Sequence, residues 1–240
     1  MATADSVMTA VELAAANARL STVGAEERIA WAAGKFGKSL VVSTSFGAQS
    51  AVMLSLAVAA VPDIPVLFVD TGYLFPETYR FADELQARLR LNLKVYRSAE
   101  SPAWIEARHG RLWEQGSAGL EQYNQIVKVE PMQRALAETQ AKAWLAGLRR
   151  IQSATRKDLP VIGLQNGRVK IHPIVDWTDQ DIHRYLSQRG LPYHPLWERG
   201  YASIGDTHTS RPLTSDLTAE QTRFFGLKRE CGLHEPIPPT

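Results

Sequence analysis

Three groups of polar residues have the types and spacing to do chemistry on an anion. The first is Lys228-Arg229-Glu230-Cys231-Gly232-Leu233-His234, which holds the single cysteine of the 240-residue chain. No apolar run surrounds it. Positive charge from Lys228 and Arg229 favours the thiolate, the nucleophilic form of cysteine, and His234 lies close by in sequence. Read alone, the heptapeptide fits an inert surface thiol equally well. The second group is Ser43-Thr44-Ser45-Phe46-Gly47-Ala48-Gln49-Ser50. A small-residue loop between a strand and a helix points its N–H groups and the helix dipole at an anion. Ser43, Thr44, Ser45 and Ser50 add hydroxyls, and Gly47 lets the backbone come close. The Walker pattern GxxxxGK[ST] is absent, and in isolation such a loop is more often a plain turn with polar caps. The third group is Lys128 with Arg149, Arg150 and Arg156. Arginine forks match phosphate and sulfate geometry. No acidic residue lies between Glu138 and Arg156, so the sequence predicts that local ion pairing leaves these charges unquenched. Solvated surface charge is the ordinary role for one or two of the four.

These groups need elements to hold them. Leu40-Val41-Val42 reads as a short buried strand leading through the loop into an apolar helix over 50–60. Residues 65–70 read as a second strand and 76–89 as a helix. Asp70-Thr71-Gly72 falls at the carboxyl end of that strand, where ligands of open α/β sheets bind. Asp70 could hold a ribose hydroxyl or an adenine amino group, or could serve only in a turn or cap. Residues 92–96 alternate like a third strand, 102–108 and 130–140 have helical spacing, 143–147 read as a strand end and 178–188 as a helix. Two further helical patterns, 8–19 and 25–36, precede the first strand. Strands alternating with helices predict a parallel twisted sheet covered on both faces. The expected organisation is one α/β nucleotide-binding domain over 1–205, with 1–22 as an N-terminal helical extension and 206–240 as a mobile C-terminal tail. Beyond Leu191 the periodicity dissolves into Pro, Gly, Tyr, Trp and Thr; Tyr193, Trp197 and Tyr201 read as packing residues.

Bulk properties narrow the class. A net charge of +2 supplies no strong overall field toward nucleic acid or a membrane, so any anion site must come from local clustering. No apolar run approaches the roughly 18–20 residues of a span, and the first residues do not read as a secretory signal. A single cysteine cannot form an internal disulfide, which suits a reducing cytoplasm. It also cannot supply a zinc or iron–sulfur site built from several cysteines. The six histidines show no HxH or HxxxH pair, and no metal site is expected.

Taken together and in order, STSFGAQSAV at 43–52, VDTGYLFPETY at 69–79, KVEPM at 128–132, AGLRRIQSATR at 146–156, YHPLW at 193–197, GDTHTSRPL at 205–213 and FFGLKRECGLH at 224–234 resemble the adenylyl-sulfate (APS) and phosphoadenylyl-sulfate (PAPS) reductases of assimilatory sulfate reduction. The match is closest to the thioredoxin-dependent PAPS reductases and covers nearly the whole chain from about residue 25. The resemblance implies the adenine-nucleotide α-hydrolase fold, with loop 43–50 as a modified pyrophosphate loop holding the substrate's phosphate and sulfate. It places Asp70 and Thr71 near the adenosine, Lys128, Arg149, Arg150 and Arg156 around the anionic groups, and Cys231 as nucleophile. Lys228, Arg229 and His234 would support the thiolate or its sulfonate.

The iron–sulfur branch of this family carries a Cys-Cys pair shortly before KV and a CxxC pair after SIG. Here those places hold Tyr123-Asn124 and Asp206-Thr207-His208-Thr209, so no cluster is expected. The resemblance further implies PAPS as substrate, thioredoxin or glutaredoxin as electron donor, and a homodimer. Three rivals stay open. A cluster-free APS reductase would use the same residues. An ATP pyrophosphatase of the same fold needs an SGGxDS-type loop, which Phe46-Gly47-Ala48-Gln49 replaces. A non-catalytic nucleotide-binding module would leave Cys231 dispensable.

Overall fold

Alternation within short apolar runs decides how this chain is layered. The computed structural model describes residues 7–215, 218, 221–226, 232 and 233. Strands β1 (Leu40–Thr44), β2 (Pro65–Val69) and β4 (Ala143–Leu145) form the centre of the sheet. Leu40, Val42, Val66, Phe68, Ala143 and Leu145 face one apolar layer, while Val41, Leu67 and Trp144 face the other. That is the period of two that a strand imposes. The first layer is built by α1 (Ala10–Leu20), α2 (Ala25–Phe36), α3 (Ser50–Ala60), α4 (Pro76–Leu89) and α8 (Asp179–Arg189). The second is built by Met132, Ala135 and Leu136 of α7 (Glu130–Glu138). Every residue from Ala51 to Ala57 is buried, because α3 is apolar on all sides and sits between neighbours rather than on a surface.

The sheet order is β3-β2-β1-β4-β6-β5, where β3 is Asn92–Tyr96, β5 Ile162–Gln165 and β6 Arg168–Ile171. Five strands run parallel, as the alternation of strand and helix predicts. The sixth, β5, is antiparallel to β6. This hairpin turns at Asn166-Gly167, both at positive φ (53° and 74°), and Asn-Gly is the pair that tolerates such a turn best. The dipeptide was a legible signal that the strand–helix alternation above does not use. The outer side of β5 is capped at Ile162 by α1: the Asn17 amide donates to the Ile162 carbonyl at 2.7 Å and accepts from its N–H at 2.9 Å.

A second unforeseen element leads into α7. Helix α6 (Gly116–Asn124) passes through a π-helical turn, Gln125–Val129. Pro131 lacks the N–H that would bond the Val127 carbonyl, so the regular ladder must break near this point. The remaining helix, α5 (Pro102–His109), follows the predicted span within a residue. Another pin invisible to periodicity is Arg28 in α2, which is 1% exposed. It forks onto Asp176 at 2.8 and 2.7 Å and also donates to the Leu20 and Pro173 carbonyls. Among the described residues no helix is long and apolar enough to cross a membrane.

Described residues after Gly205 pack on this body. Asp206 bridges Leu74, Ser210 bridges Arg223, and Phe224 is buried with Trp113, Leu120 and Tyr123. Loop 43–50 is anchored from beneath. Phe46 adopts φ 47° and is fully buried, its ring edge-on to Phe68 at 4.9 Å. A bulky residue in the left-handed region persists only when its surroundings hold it there. Phe46→Ala should therefore lower the unfolding free energy by about 3–5 kcal/mol, measurable by chemical denaturation.

Candidate active site

A cavity of about 420 Å³ opens at the carboxyl ends of β1 and β4. The position follows from topology. After β1 the chain lays β2 and β3 on one side, then returns to lay β4 on the other. The two loops leaving β1 and β4 diverge, and a crevice forms at this switch point.

Loop 43–50 makes one wall. Ser43, Thr44, Ser45, Gly47 and Ser50 all line the cavity, together with Gln49. The loop is held from several directions. Thr44 Oγ1 accepts from the Phe46 N–H at 3.0 Å, and Ser50 N–H bonds the Gly47 carbonyl at 3.1 Å. His194 donates its backbone N–H to the Ala48 carbonyl at 3.0 Å. The His194 ring is buried; Nδ1 accepts from Leu196 N–H at 3.1 Å, so Nε2 carries the proton toward Thr78 Oγ1 at 3.0 Å. Burial lowers its pKa to about 4, so it is a neutral strut. Gln49, at the start of α3, makes no side-chain cap bond. The buried Ser50 hydroxyl finds no hydrogen-bond partner among the described residues. At the start of α3 the Ser50 hydroxyl is thus left beside the cavity without a protein partner among the described residues.

The opposite wall is organised by a buried ion pair. Lys128, in the π-helical turn, meets Asp206 at 2.5 Å, and the two side chains are 9% and 0% exposed. Lys128 also donates to Asn124 Oδ1 at 3.2 Å and lies about 5 Å from the rings of Tyr123 and Phe224. Asp206 accepts a second hydrogen bond, from Thr71 Oγ1 at 2.5 Å. Burial pushes the Asp206 carboxyl up. The Lys128 charge, hydrogen bonds from Lys128 and Thr71, and the Arg223 charge outweigh it and hold the pKa at about 2. Tyr123-Asn124 and segment 206–209 meet here, with Asn124 accepting from Lys128 and the Tyr123 ring edge-on to His208 at 5.2 Å.

The remaining cations are more tethered than their spacing implied. Arg149 lines the cavity but is 3% exposed. Its guanidinium donates to Gln49 at 2.6 Å, Asp179 at 2.8 Å and the Trp177 carbonyl at 3.2 Å. No local acid quenches Arg149; its partner is Asp179, which is 30 residues away in sequence. Arg149 braces loop 43–50 through Gln49. Arg156 lines the cavity and donates to Gln152 at 2.5 Å. Arg150 stands outside it, donating to the Leu159 carbonyl at 2.9 Å.

Thr71 reaches the cavity wall, whereas Asp70 does not line it. Asp70 accepts from the Gly72 N–H at 2.9 Å, the Tyr79 hydroxyl at 2.7 Å and Arg97 Nε at 2.7 Å. These bonds shape the turn after β2. Arg223, which the sequence did not single out, lines the cavity and is 7% exposed. It donates to Ser210 Oγ at 2.9 Å, and a Cβ at position 205 would overlap its guanidinium. No periodic or motif signal marks Arg223, because it lies where the pattern dissolves. Trp197 contributes to the cavity wall besides stacking on Tyr193 at 5.2 Å. Cys231, Lys228, Arg229 and His234 lie outside the described residues. Leu233, two positions after the cysteine, lines the cavity.

Comparison with known proteins follows the same lines. Residues 39–212 match the model of the phosphoadenosine phosphosulfate reductase domain. A phosphoadenosine 5'-phosphosulfate reductase of Salmonella heidelberg is 59% identical over 223 residues, spanning 93% of this chain and 91% of the relative. One from Alkalilimnicola ehrlichii is 58% identical over 226 residues, spanning 94% and 92%. A crystal structure of phosphoadenylyl-sulfate reductase from Candida auris superposes with a TM-score of 0.74 at 31% identity, covering 85% of this chain and 98% of that one. The FMN adenylyltransferase of Candida glabrata, at 17% identity and a TM-score of 0.56 over 100% of this chain and 80% of that one, shares the fold alone.

The buried pair makes a measurable prediction. Asp206→Ala should cost about 3–5 kcal/mol by stranding the Lys128 charge, and the apolar double variant Lys128→Met/Asp206→Leu should recover most of that loss in urea denaturation. Because the folded pKa of Asp206 lies below its ordinary 3.8, its contribution is complete above that value. It should disappear as pH falls toward about 2, and Asp206→Asn should lack this acid-dependent component.

Proposed function

The chain belongs to the phosphoadenosine phosphosulfate reductase family, and on that premise we propose its reaction in full. It reduces 3'-phosphoadenylyl sulfate to sulfite and adenosine 3',5'-bisphosphate, and the electrons come from reduced thioredoxin. The Cys231 thiolate attacks the sulfur of the sulfuryl group. The S–O bond to phosphate breaks, its electron pair leaves on the nucleotide, and the enzyme retains a Cys231 S-sulfonate. A thioredoxin thiolate then attacks the Cys231 sulfur. Sulfite departs with the bonding pair, and a mixed disulfide forms. Thioredoxin's second cysteine breaks it, releasing free Cys231 and oxidised thioredoxin. One cysteine per chain leaves no internal thiol to complete this sequence, so the second thiol must come from outside the chain.

The cavity has groups suited to each part of the substrate. Loop 43–50 and the first turn of α3 offer donors to the phosphosulfate. Lys128, Arg156 and Arg223 stand where negative charge builds on the departing phosphate. Lys228, Arg229 and His234 support the thiolate and the sulfonate through their charge and proximity in sequence. The observation that carries the reading is the place of Leu233 on the wall of the cavity that loop 43–50 lines, two positions along the chain from Cys231. A cytoplasmic homodimer belongs to the same proposal.

Three measurements test it. Cys231→Ser should release no sulfite above background, and wild-type enzyme given PAPS without thioredoxin should gain a sulfonate mass on Cys231; normal turnover by the serine variant would overturn the nucleophile assignment. Turnover of PAPS should exceed that of APS with reduced thioredoxin, and the reverse order would assign the chain to the cluster-free APS reductases.

A further inference from the structure

We propose that Lys170 and Gln165, on the β5–β6 hairpin, are positioning residues that clasp the main chain just beyond Cys231 and hold it docked at the cavity. Both side chains donate to the Leu233 carbonyl, Lys170 Nζ at 2.9 Å and Gln165 Nε2 at 3.1 Å. Two donors fill both lone pairs of that oxygen, and one is charged, which makes it the stronger kind of bond. Lys170 is itself preorganised. It is 5% exposed, donates to Gln165 Oε1 at 2.8 Å and sits 5.0 Å from the Trp144 ring.

Strand register sets this arrangement. Trp144 pairs with Lys170 across β4 and β6, and Gln165 pairs with Arg168 across the hairpin. Gln165 and Lys170 are therefore diagonal neighbours on one face. The preceding residue is fixed from the other side: Gly232 has φ 84°, and a Cβ there would come within 3.0 Å of Val129, next to Lys128 in the π-helical turn. Gly232 and Leu233 thus join the Lys128 wall to the hairpin.

This inference rests on the reading of Cys231 as nucleophile, which gives the clasp its purpose. Attack on the nucleotide needs the segment docked, and discharge of the sulfonate needs the thiol presented to an external protein. Hydrogen bonds to one backbone carbonyl suit that alternation, because both partners regain water when the contact opens.

Lys170→Met, Lys170→Arg and Gly232→Ala, each made in the full chain, test the clasp. With adenosine 3',5'-bisphosphate bound, iodoacetamide should alkylate Cys231 faster in Lys170→Met and Gly232→Ala than in wild type. Single-turnover formation of the S-sulfonate should be about tenfold slower in both. The affinity for the bisphosphate should stay within about twofold, and Lys170→Arg should restore the rate. Thioredoxin should discharge the preformed S-sulfonate at the wild-type rate. Wild-type alkylation and sulfonation rates in both Lys170→Met and Gly232→Ala would overturn the clasp. Failure of the nucleophile reading shows itself separately, as sulfite release by Cys231→Ser, and the alkylation comparison still decides the clasp in that event.

Discussion

The contact between Lys128 and Asp206 ties together parts of the chain 78 residues apart, and most of the site hangs on it. A lone ammonium or carboxylate at this depth would be strongly disfavoured. Each therefore requires the other, and the segment after Gly205 must pack against the π-helical turn. Thr71 completes the knot from the end of β2. Three separate stretches of sequence become one wall, and Lys128 reaches the cavity in a fixed pose. The pair adds no net charge, so its value to an anionic ligand lies in direction rather than in bulk positive potential.

The same restraint runs through the other cations. Arg149 is balanced by Asp179 and holds Gln49, and Arg223 is anchored by Ser210. A wall of free cations would repel itself and order poorly in the absence of ligand. Tethered cations, set beside the start of α3, hold their geometry beforehand and, in the proposed reaction, need little reorganisation as negative charge develops on the departing phosphate. A mixed anhydride of sulfate and phosphate, the substrate class of the family, presents several anionic oxygens that cations held in this way can meet.

Loop 43–50 and the segment at 232–233 are held beside the cavity by different materials. Loop 43–50 is secured by a buried aromatic ring, a neutral histidine strut and the dense apolar helix α3 behind it. Gly232 and Leu233 are secured by a left-handed glycine and two hydrogen bonds from the hairpin. The first kind of contact is lost only when the core opens; the second can exchange with water.

The strand–helix alternation, the loop between β1 and α3, and the cysteine near two basic residues are legible in the chain's primary structure, because each is written locally in periodicity or adjacent side chains. Most elements fall within a residue or two of their predicted spans for that reason. The hairpin at Asn166-Gly167 was also written locally and needed only turn chemistry to be seen. Tertiary structure alone decided which polar residues share a cavity. Asp70 and Arg150 have the right types and neighbouring positions, yet point to a turn and to a carbonyl. Arg223 and Asp206 come from a stretch without periodicity and enter the site. Partnership between side chains 30 or 78 residues apart depends on where the sheet reverses and how the helices pack, and no local pattern records it.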